Sequence, residues 1–116
     1  MPSFSKQHLS ASVNGRPVGI STTSSPGTAI HTAVTGSNAI DEVWLYARSN
    51  LASPTQLTIE WGNTTPDDRI TVDVPFSGSG LQLVVPGLTI SSGSIIRAFG
   101  LSSGSIFISG YVNRIA

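Results

Sequence analysis

Short runs of alternating apolar and polar residues, separated by turn-forming residues, fill most of this chain. Such alternation predicts half-buried β-strands, and no stretch shows the 3.6-residue period of an amphipathic helix. The turns are rich in Gly, Pro, Asn and Asp, which reverse a chain by unusual φ values or local side-chain bonds. Strands are predicted near residues 17–22, 28–34, 42–48, 56–61, 69–74, 81–85, 94–99 and 105–114.

Strands at this spacing, with no helices between them, favour an all-β fold built as a jelly-roll-like antiparallel β-sandwich of about eight short strands. At 116 residues the chain is expected to form one domain, which we place at residues 17–116. Residues 1–16 are polar and carry no strand pattern. We expect them to form an N-terminal arm that is either disordered or ordered only against another surface.

Several predicted strands place apolar side chains on both faces. Val43, Leu45 and Ala47 project to one side, while Trp44 and Tyr46 project to the other. Similar aromatic residues stand at Phe99, Phe107 and Tyr111. The outer face of a sandwich meets water, so these rings either stand exposed singly, or lie beneath the chain's own loops and N-terminal segment, or pack against neighbouring copies.

Charge and composition exclude several classes of function. Six Lys and Arg balance six Asp and Glu, and only 10% of residues are charged. A neutral surface of this kind lacks the positive field needed for nucleic acid or an anionic membrane. There is no cysteine for a disulfide or thiolate site, which leaves the redox compartment undetermined. The sequence shows no apolar run long enough to span a bilayer and no signal-peptide pattern at the N-terminus, so synthesis in a cytoplasm is expected.

Catalytic and metal-binding patterns are weak. Gly100–Gly104 matches the G-x-S-x-G nucleophile pattern, but a strand-like segment follows Ser102 where that motif requires a helix, so a hairpin turn is expected instead. His8 and His31 are the only imidazoles, and they suggest no supported triad. We predict that the chain is not an enzyme and needs no cofactor or metal.

The two pairs of adjacent carboxylates have structural readings. Asp41 and Glu42 are expected to point to opposite faces of one strand. Asp67 and Asp68 follow Pro66 and are expected to stabilise a turn, because calcium would need more oxygen ligands than this segment offers.

The order of several short motifs resembles small virion proteins of tailed bacteriophages, over the chain from about Gly15 to the C-terminus. The motifs are GRPVGI (15–20), SPGTAIHTAV (25–34), IDEVWLYA (40–47), LTIEWG (57–62), PDDRITVDVP (66–75), GLQLVVPGL (80–88), IRAFG (96–100) and ISGYVNRI (108–115). The resemblance is greatest to capsid decoration (cement) proteins. It implies a homotrimer bound to the major capsid protein at local threefold positions of the capsid exterior.

On this basis some of Trp44, Tyr46, Phe99, Phe107 and Tyr111 are expected to form the contact between copies. Lys6, His8 and Arg16 are expected to contact the capsid through the N-terminal arm, for which the resemblance offers no counterpart. Two alternatives stay open: a head fibre, connector or tail component, and a carbohydrate-binding module for host recognition, in which Trp44 or Tyr46 would stack on a sugar ring.

Overall fold

The computed structural model describes residues 3–116 and contains nine β-strands and two single-turn 3₁₀ helices. The 3₁₀ helices span Pro66–Asp68 and Ser77–Ser79. The strands are β1 (Phe4–His8), β2 (Val18–Ile20), β3 (Thr28–Thr32), β4 (Ile40–Ser49), β5 (Thr55–Trp61), β6 (Arg69–Val74), β7 (Gln82–Ile90), β8 (Ile95–Gly100) and β9 (Ile106–Ile115).

The strands form two antiparallel sheets, as expected for a β-sandwich. Sheet A has the order β1-β9-β4-β7, with β2 also paired to β9, and sheet B has the order β3-β8-β5-β6. The last eight strands pair first with last, as β2 with β9, β3 with β8, β4 with β7 and β5 with β6. This is the pairing of a long hairpin rolled into two layers, which defines a jelly roll.

The core lies between the sheets, and strict alternation builds it. Val43, Leu45 and Ala47 of β4 are fully buried, as are Leu57 and Ile59 of β5 in the facing sheet. Because successive side chains project to opposite faces, the same strands must place their remaining residues outward. The inner face of each two-sided strand is thereby identified, and Trp44 and Tyr46 belong to the outer face of sheet A.

The N-terminal segment differs from the expected arm. Phe4–His8 forms β1, which pairs with Tyr111–Ile115 of β9 at the edge of sheet A. All five side chains of β1 are exposed, so the strand is held by backbone hydrogen bonds and shows no apolar alternation. The expectation that residues 1–16 lack a strand and order only against another surface is therefore wrong for this part; Met1 and Pro2 lie outside the described residues.

Strand β7 is longer than predicted, because it continues through Pro86 and Gly87 to Ile90. Proline has no N–H to donate to a neighbouring strand, so within sheets it occurs mainly in edge strands. Strand β7 is such a strand, at the edge of sheet A opposite β1. Its register against β4 shifts twice, between Val43 and Trp44 and between Leu45 and Tyr46. These irregularities bend β7 beside Trp44 and shape the surface described next.

Candidate functional site

Four of the five aromatic residues named from the sequence lie together on the outer surface of sheet A, which we call the aromatic face. It is formed by Trp44 and Tyr46 of β4 and by Phe107 and Tyr111 of β9, all half-buried. Trp44 is directly opposite Tyr111 in the ladder, and their ring centroids lie 6.4 Å apart with planes inclined by 13°. Such a near-parallel pair is stabilising beyond the area it buries.

Glycines in the neighbouring strands let two of these rings lie down on the sheet. A Cβ atom at Gly87 would lie 3.0 Å from Cζ2 of Trp44, and Gly87 also has a positive φ of 83°. On the other side, a Cβ at Gly19 would lie 3.5 Å from Cε1 of Phe107. The rings therefore cover backbone that lacks side chains, which contributes to their partial burial.

Cationic side chains lie over two rings of the aromatic face. The Lys6 ammonium is 4.6 Å from the ring centroid of Tyr111, and the Arg48 guanidinium is 4.4 Å from that of Phe107. Each contact is a cation–π interaction. The N-terminal segment thus covers part of the face itself, as one of the sequence-based alternatives expected, but it leaves the four rings partly accessible.

A polar row crosses the same surface beside Tyr111 and Trp44. Lys6, Asn113 and Glu42 are aligned across β1, β9 and β4. Hydrogen bonds from the Trp44 indole N–H (2.8 Å) and the Asn113 amide (3.1 Å) converge on Oε1 of Glu42 and lower the pKa of its carboxyl group. With Phe4 and Ile115, the row lines a cavity of about 290 Å³.

Phe99 lies on the opposite side of the molecule, on the outer face of sheet B. Its neighbours there are Thr58 in the ladder and the Arg69 guanidinium, 5.6 Å from the ring centroid. One flat contact cannot include Phe99 together with the aromatic face. The structure therefore brings four of the five predicted interface residues together and separates the fifth.

The three predicted arm residues occupy two places. Lys6 and His8 project from β1 onto the surface of sheet A, where His8 is aligned with Tyr111 and packs beside Gly15. Arg16 lies after a turn at Asn14 and Gly15, and it lines a second cavity that also contains Arg48 and Phe107.

The sequence reasoning missed a hydrogen-bonded chain through Ser10, His31 and Asp41. The Ser10 backbone N–H donates to Nδ1 of His31 at 3.0 Å, and Nε2 of His31 lies 2.8 Å from Oδ2 of Asp41. Because Nδ1 accepts a hydrogen bond, the ring proton lies on Nε2 and is donated to Asp41. The Ser10 hydroxyl lies 2.9 Å from Nδ1, while its oxygen accepts a hydrogen bond from the Thr32 N–H.

This order of residues imitates a catalytic triad, but its geometry favours a structural role. The basic nitrogen already accepts from the Ser10 backbone, and the serine oxygen is engaged by a backbone donor rather than directed at a substrate. The carboxylate of Asp41 also accepts two hydrogen bonds from the Arg114 guanidinium, one from Nε at 2.8 Å and one from Nη2 at 3.1 Å. These hydrogen bonds join the N-terminal segment to β3, β4 and β9.

Asp41 is fully buried, and its ionisation reflects its partners. Burial by itself raises the pKa of this carboxyl group. Hydrogen bonds from Arg114, His31 and the Val34 N–H outweigh that effect, so the pKa of Asp41 is lowered. Asp41 and Glu42 do point to opposite faces, as expected.

The remaining sequence motifs are located in turns. Ser102 lies in an exposed turn between β8 and β9, which belong to different sheets, so the expected hairpin is wrong: the turn crosses from sheet B to sheet A. Asp67 and Asp68 lie in the 3₁₀ turn before β6, where Asp68 accepts a hydrogen bond from the Thr65 hydroxyl. The turn-stabilising role predicted for this pair is confirmed for Asp68.

Residues 3–116 contain neither a cluster of metal-binding side chains nor a membrane-spanning helix. Three or more His, Asp or Glu side chains do not come together there in a way that could hold a metal ion. Of the helices in the same part of the chain, none has the length and apolar character to cross a bilayer.

Comparison with known proteins gives no further guide to the site. No protein-family model matches the chain, and neither a curated protein nor a solved structure matches it.

Proposed function

We propose that this chain is a structural virion protein that decorates and stabilises the capsid exterior of a tailed phage, as a homotrimer at local threefold positions. The ordered sequence motifs that resemble such proteins support this assignment. The jelly roll is also a fold of viral capsid proteins, although lectins share it, so the fold alone does not decide the function.

The observation that carries the proposal is the aromatic face. Its four rings are half-buried, and Leu83 of β7, opposite Tyr46 in the ladder, is 48% exposed beside them. Complete burial of one such side chain contributes roughly 2 to 3 kcal/mol. A contiguous apolar patch with aromatic residues at its centre is typical of a protein contact.

The contact between copies is accordingly assigned to Trp44, Tyr46, Phe107 and Tyr111, without Phe99. In a cyclic trimer each copy offers two different surfaces, so the aromatic face meets another part of its neighbour. A net charge of zero leaves little repulsion between copies.

Capsid contact is assigned to the N-terminal segment. Lys6 and His8 project from the exposed edge strand β1, and Arg16 lies nearby in the following turn. Each copy supplies a modest contact with the major capsid protein. Three copies in one trimer bind together with a high effective concentration, so the trimer stays bound where one copy would dissociate.

Electron cryomicroscopy of the intact particle tests the role directly. Hundreds of copies at threefold positions of the shell are expected. A few copies at a single vertex would instead establish a head fibre, connector or tail component. Light scattering on the purified chain tests the trimer, for which we expect a mass three times the 12.0 kDa of one chain. A monomer at micromolar concentration would refute it.

The cavity beside Phe4 favours carbohydrate binding as a second candidate. Glu42 and Asn113 present polar groups there, and Lys6 adds hydrogen-bond donors beside an aromatic side chain. Saccharide sites combine an aromatic platform with a few convergent polar groups. A glycan array tests this candidate: specific retention that disappears in Trp44→Ala and Glu42→Gln would support it, and the absence of retention would remove it.

A further inference from the structure

The second cavity joins the N-terminal segment to the aromatic face. It has a volume of about 320 Å³ and is lined by Ala11, Val13, Arg16, Pro17, Arg48 and Phe107. We call it the two-arginine pocket. Two guanidinium groups line it, and no carboxylate does.

Neither arginine is neutralised by the chain itself. Within residues 3–116, ion pairs involve only Asp41, which binds His31 and Arg114. Over the same residues, the hydrogen bonds donated by arginine side chains come from Arg97 and Arg114. An arginine has five N–H donors and stays charged, so Arg16 and Arg48 bring two unmatched cations to one cavity.

Local contacts position the Arg48 guanidinium and the backbone of Arg16, whose side chain is exposed. The Arg48 guanidinium carbon lies 4.4 Å from the centroid of the Phe107 ring, and within residues 3–116 this side chain donates no hydrogen bond, so its N–H groups are available to an acceptor. The backbone of Arg16 closes a turn, since its N–H donates to the Val13 carbonyl (3.0 Å) and its carbonyl accepts from the Ser12 hydroxyl (2.8 Å). The backbone at Arg16 and the Arg48 guanidinium therefore lose little conformational freedom on binding, whereas the Arg16 side chain becomes ordered.

The rest of the lining selects the kind of ligand. Ala11, Val13 and Pro17 form an apolar wall, and Val13 is 66% exposed. Guanidinium forks match a carboxylate with paired hydrogen bonds, and the wall suits an aliphatic group next to it. A nucleic acid would need an extended basic surface, whereas the whole chain carries no net charge.

We propose that the two-arginine pocket binds an acidic side chain of an extended, partly apolar peptide segment of a partner protein. The carboxylate lies between Arg16 and Arg48, and a neighbouring aliphatic residue packs on Val13 and Pro17. Only the identity of the partner rests on the proposed virion function, under which it is the major capsid protein.

Titration of the intact ¹⁵N-labelled chain with a short peptide of alternating Glu and Val tests the pocket without any capsid. Amide shifts are expected around residues 11–19, 48 and 107, and they should weaken with added salt. Arg16→Gln and Arg48→Gln are each expected to reduce the affinity about tenfold, since a hydrogen bond to a charged group contributes on this order. The matched peptide of Gln and Val should not bind.

A control variant separates the pocket from general charge effects. Arg69→Gln removes the cation over Phe99 in sheet B, on the opposite side of the molecule. It is expected to bind the Glu peptide like the unaltered chain. Arg16 lies in an exposed turn, so Arg16→Gln should remain folded. The test therefore stays decisive even if Arg48→Gln fails to fold.

Three results would overturn the inference: no shifts at millimolar Glu peptide in low salt, binding by both arginine variants as tight as that of the unaltered chain, or inorganic phosphate binding as tightly as the peptide with the same arginine dependence. Co-sedimentation with capsids separates this inference from the virion role. Peptide binding without capsid binding removes the proposed role and leaves the pocket, whereas capsid binding that Arg16→Gln and Arg48→Gln leave unchanged removes the pocket as a capsid contact.

Discussion

The outer faces of the two sheets differ, although the strands of both alternate in the same way. The outer face of sheet B is mainly polar, with Thr58 and Thr71 at its centre, and the loop containing Ser25 and Gly27 reaches over Glu60. The aromatic face lies on the outer side of sheet A. Lys6 and Arg48 make cation–π contacts with two of its rings, and all four rings remain partly accessible. Sheet B is thus mainly polar and covered by its own loop at Glu60, while sheet A keeps apolar surface available for a partner.

Each sheet also contains one fully buried carboxylate, and the two are held differently. Asp41 of sheet A faces inward and binds Arg114 and His31. Glu60 of sheet B faces outward and accepts from the Ser25 hydroxyl (2.5 Å) and the Gly27 N–H (2.7 Å). A buried charge must be matched by donors, so Asp41 fastens strands together and Glu60 fastens the covering loop.

Loss of the cation beside Asp41 is expected to have the largest effect. Arg114→Ala leaves the buried carboxylate with His31 and the Val34 N–H alone, and it should lower the free energy of unfolding at pH 7 by about 3 kcal/mol. Urea unfolding followed by tryptophan fluorescence measures this change. Arg16→Ala, which removes an arginine without an ion pair, is the control and should change stability little. Equal stabilities of the two variants would contradict the assigned role of Asp41.

The same variant should alter the response to acid. The folded-state pKa of Asp41 is lowered, so below about pH 4 the unfolded chain binds more protons than the folded one. The stabilisation from Asp41 is therefore complete above that pH and is lost as the pH falls through the folded pKa. Arg114→Ala brings the two pKa values closer together, so its stability should fall less steeply between pH 5 and pH 2. A parallel pH dependence for both proteins would contradict this explanation.

Glu60→Gln probes the corresponding carboxylate of sheet B. The substitution replaces the carboxylate that accepts hydrogen bonds from the Ser25 hydroxyl and the Gly27 N–H with a neutral amide. We expect the free energy of unfolding to fall by about 2 kcal/mol. Hydrogen exchange should accelerate at the Gly27 and Thr28 amides while the strands of sheet A keep their protection. Glu42→Gln, at the half-buried carboxylate on the outer face of sheet A, is the control. If exchange of the covering loop did not change in Glu60→Gln, its attachment would have another source.

Alternation was sufficient to predict the eight strands of the jelly roll, because each has a buried face that the pattern records. It did not predict β1, since a strand with five exposed side chains leaves no apolar period. Asp41 carried a usable signal: it stands in phase with Val43 and Leu45, at a core position that requires partners for a carboxylate. Its partner Arg114 is 73 residues away, and only the register of β4 on β9 brings the two together.

Similarly, the five aromatic residues could be predicted to lie on strands with two apolar faces, but neither the outward face of those strands nor the division of the rings between the sheets could be predicted. Phe99 and Phe107 are close in sequence, yet the turn at Ser102 transfers the chain from sheet B to sheet A between them. The same ambiguity made a crossing turn indistinguishable from a hairpin in the sequence, because both need only glycine and serine. The pocket shared by Arg16 and Arg48 depends on the path of residues 9–17 and had no sequence signal.

Self-association should distinguish the two outer faces. Trp44→Ala removes a ring from the aromatic face and is expected to weaken the proposed trimer about 30-fold per contact, the effect of a central interface residue contributing about 2 kcal/mol. Phe99→Ala removes a comparable ring from sheet B and should leave the association constant nearly unchanged. Sedimentation equilibrium of both variants measures the difference. The reverse order would transfer the contact to sheet B.

The smallest expected difference concerns the cations above the rings. Arg48→Gln removes the guanidinium at 4.4 Å from Phe107, and Arg69→Gln removes the one at 5.6 Å from Phe99. A cation–π contact at a partly exposed site contributes about 0.5 to 1 kcal/mol, so each variant should lower the free energy of unfolding by about 0.5 kcal/mol. The decrease should be larger for Arg48→Gln, because the contact at Arg48 is shorter. Double-mutant cycles with Phe107→Leu and Phe99→Leu isolate each pair in urea unfolding. A larger coupling energy at Arg69 would show that these cations stabilise sheet B more than they stabilise the aromatic face.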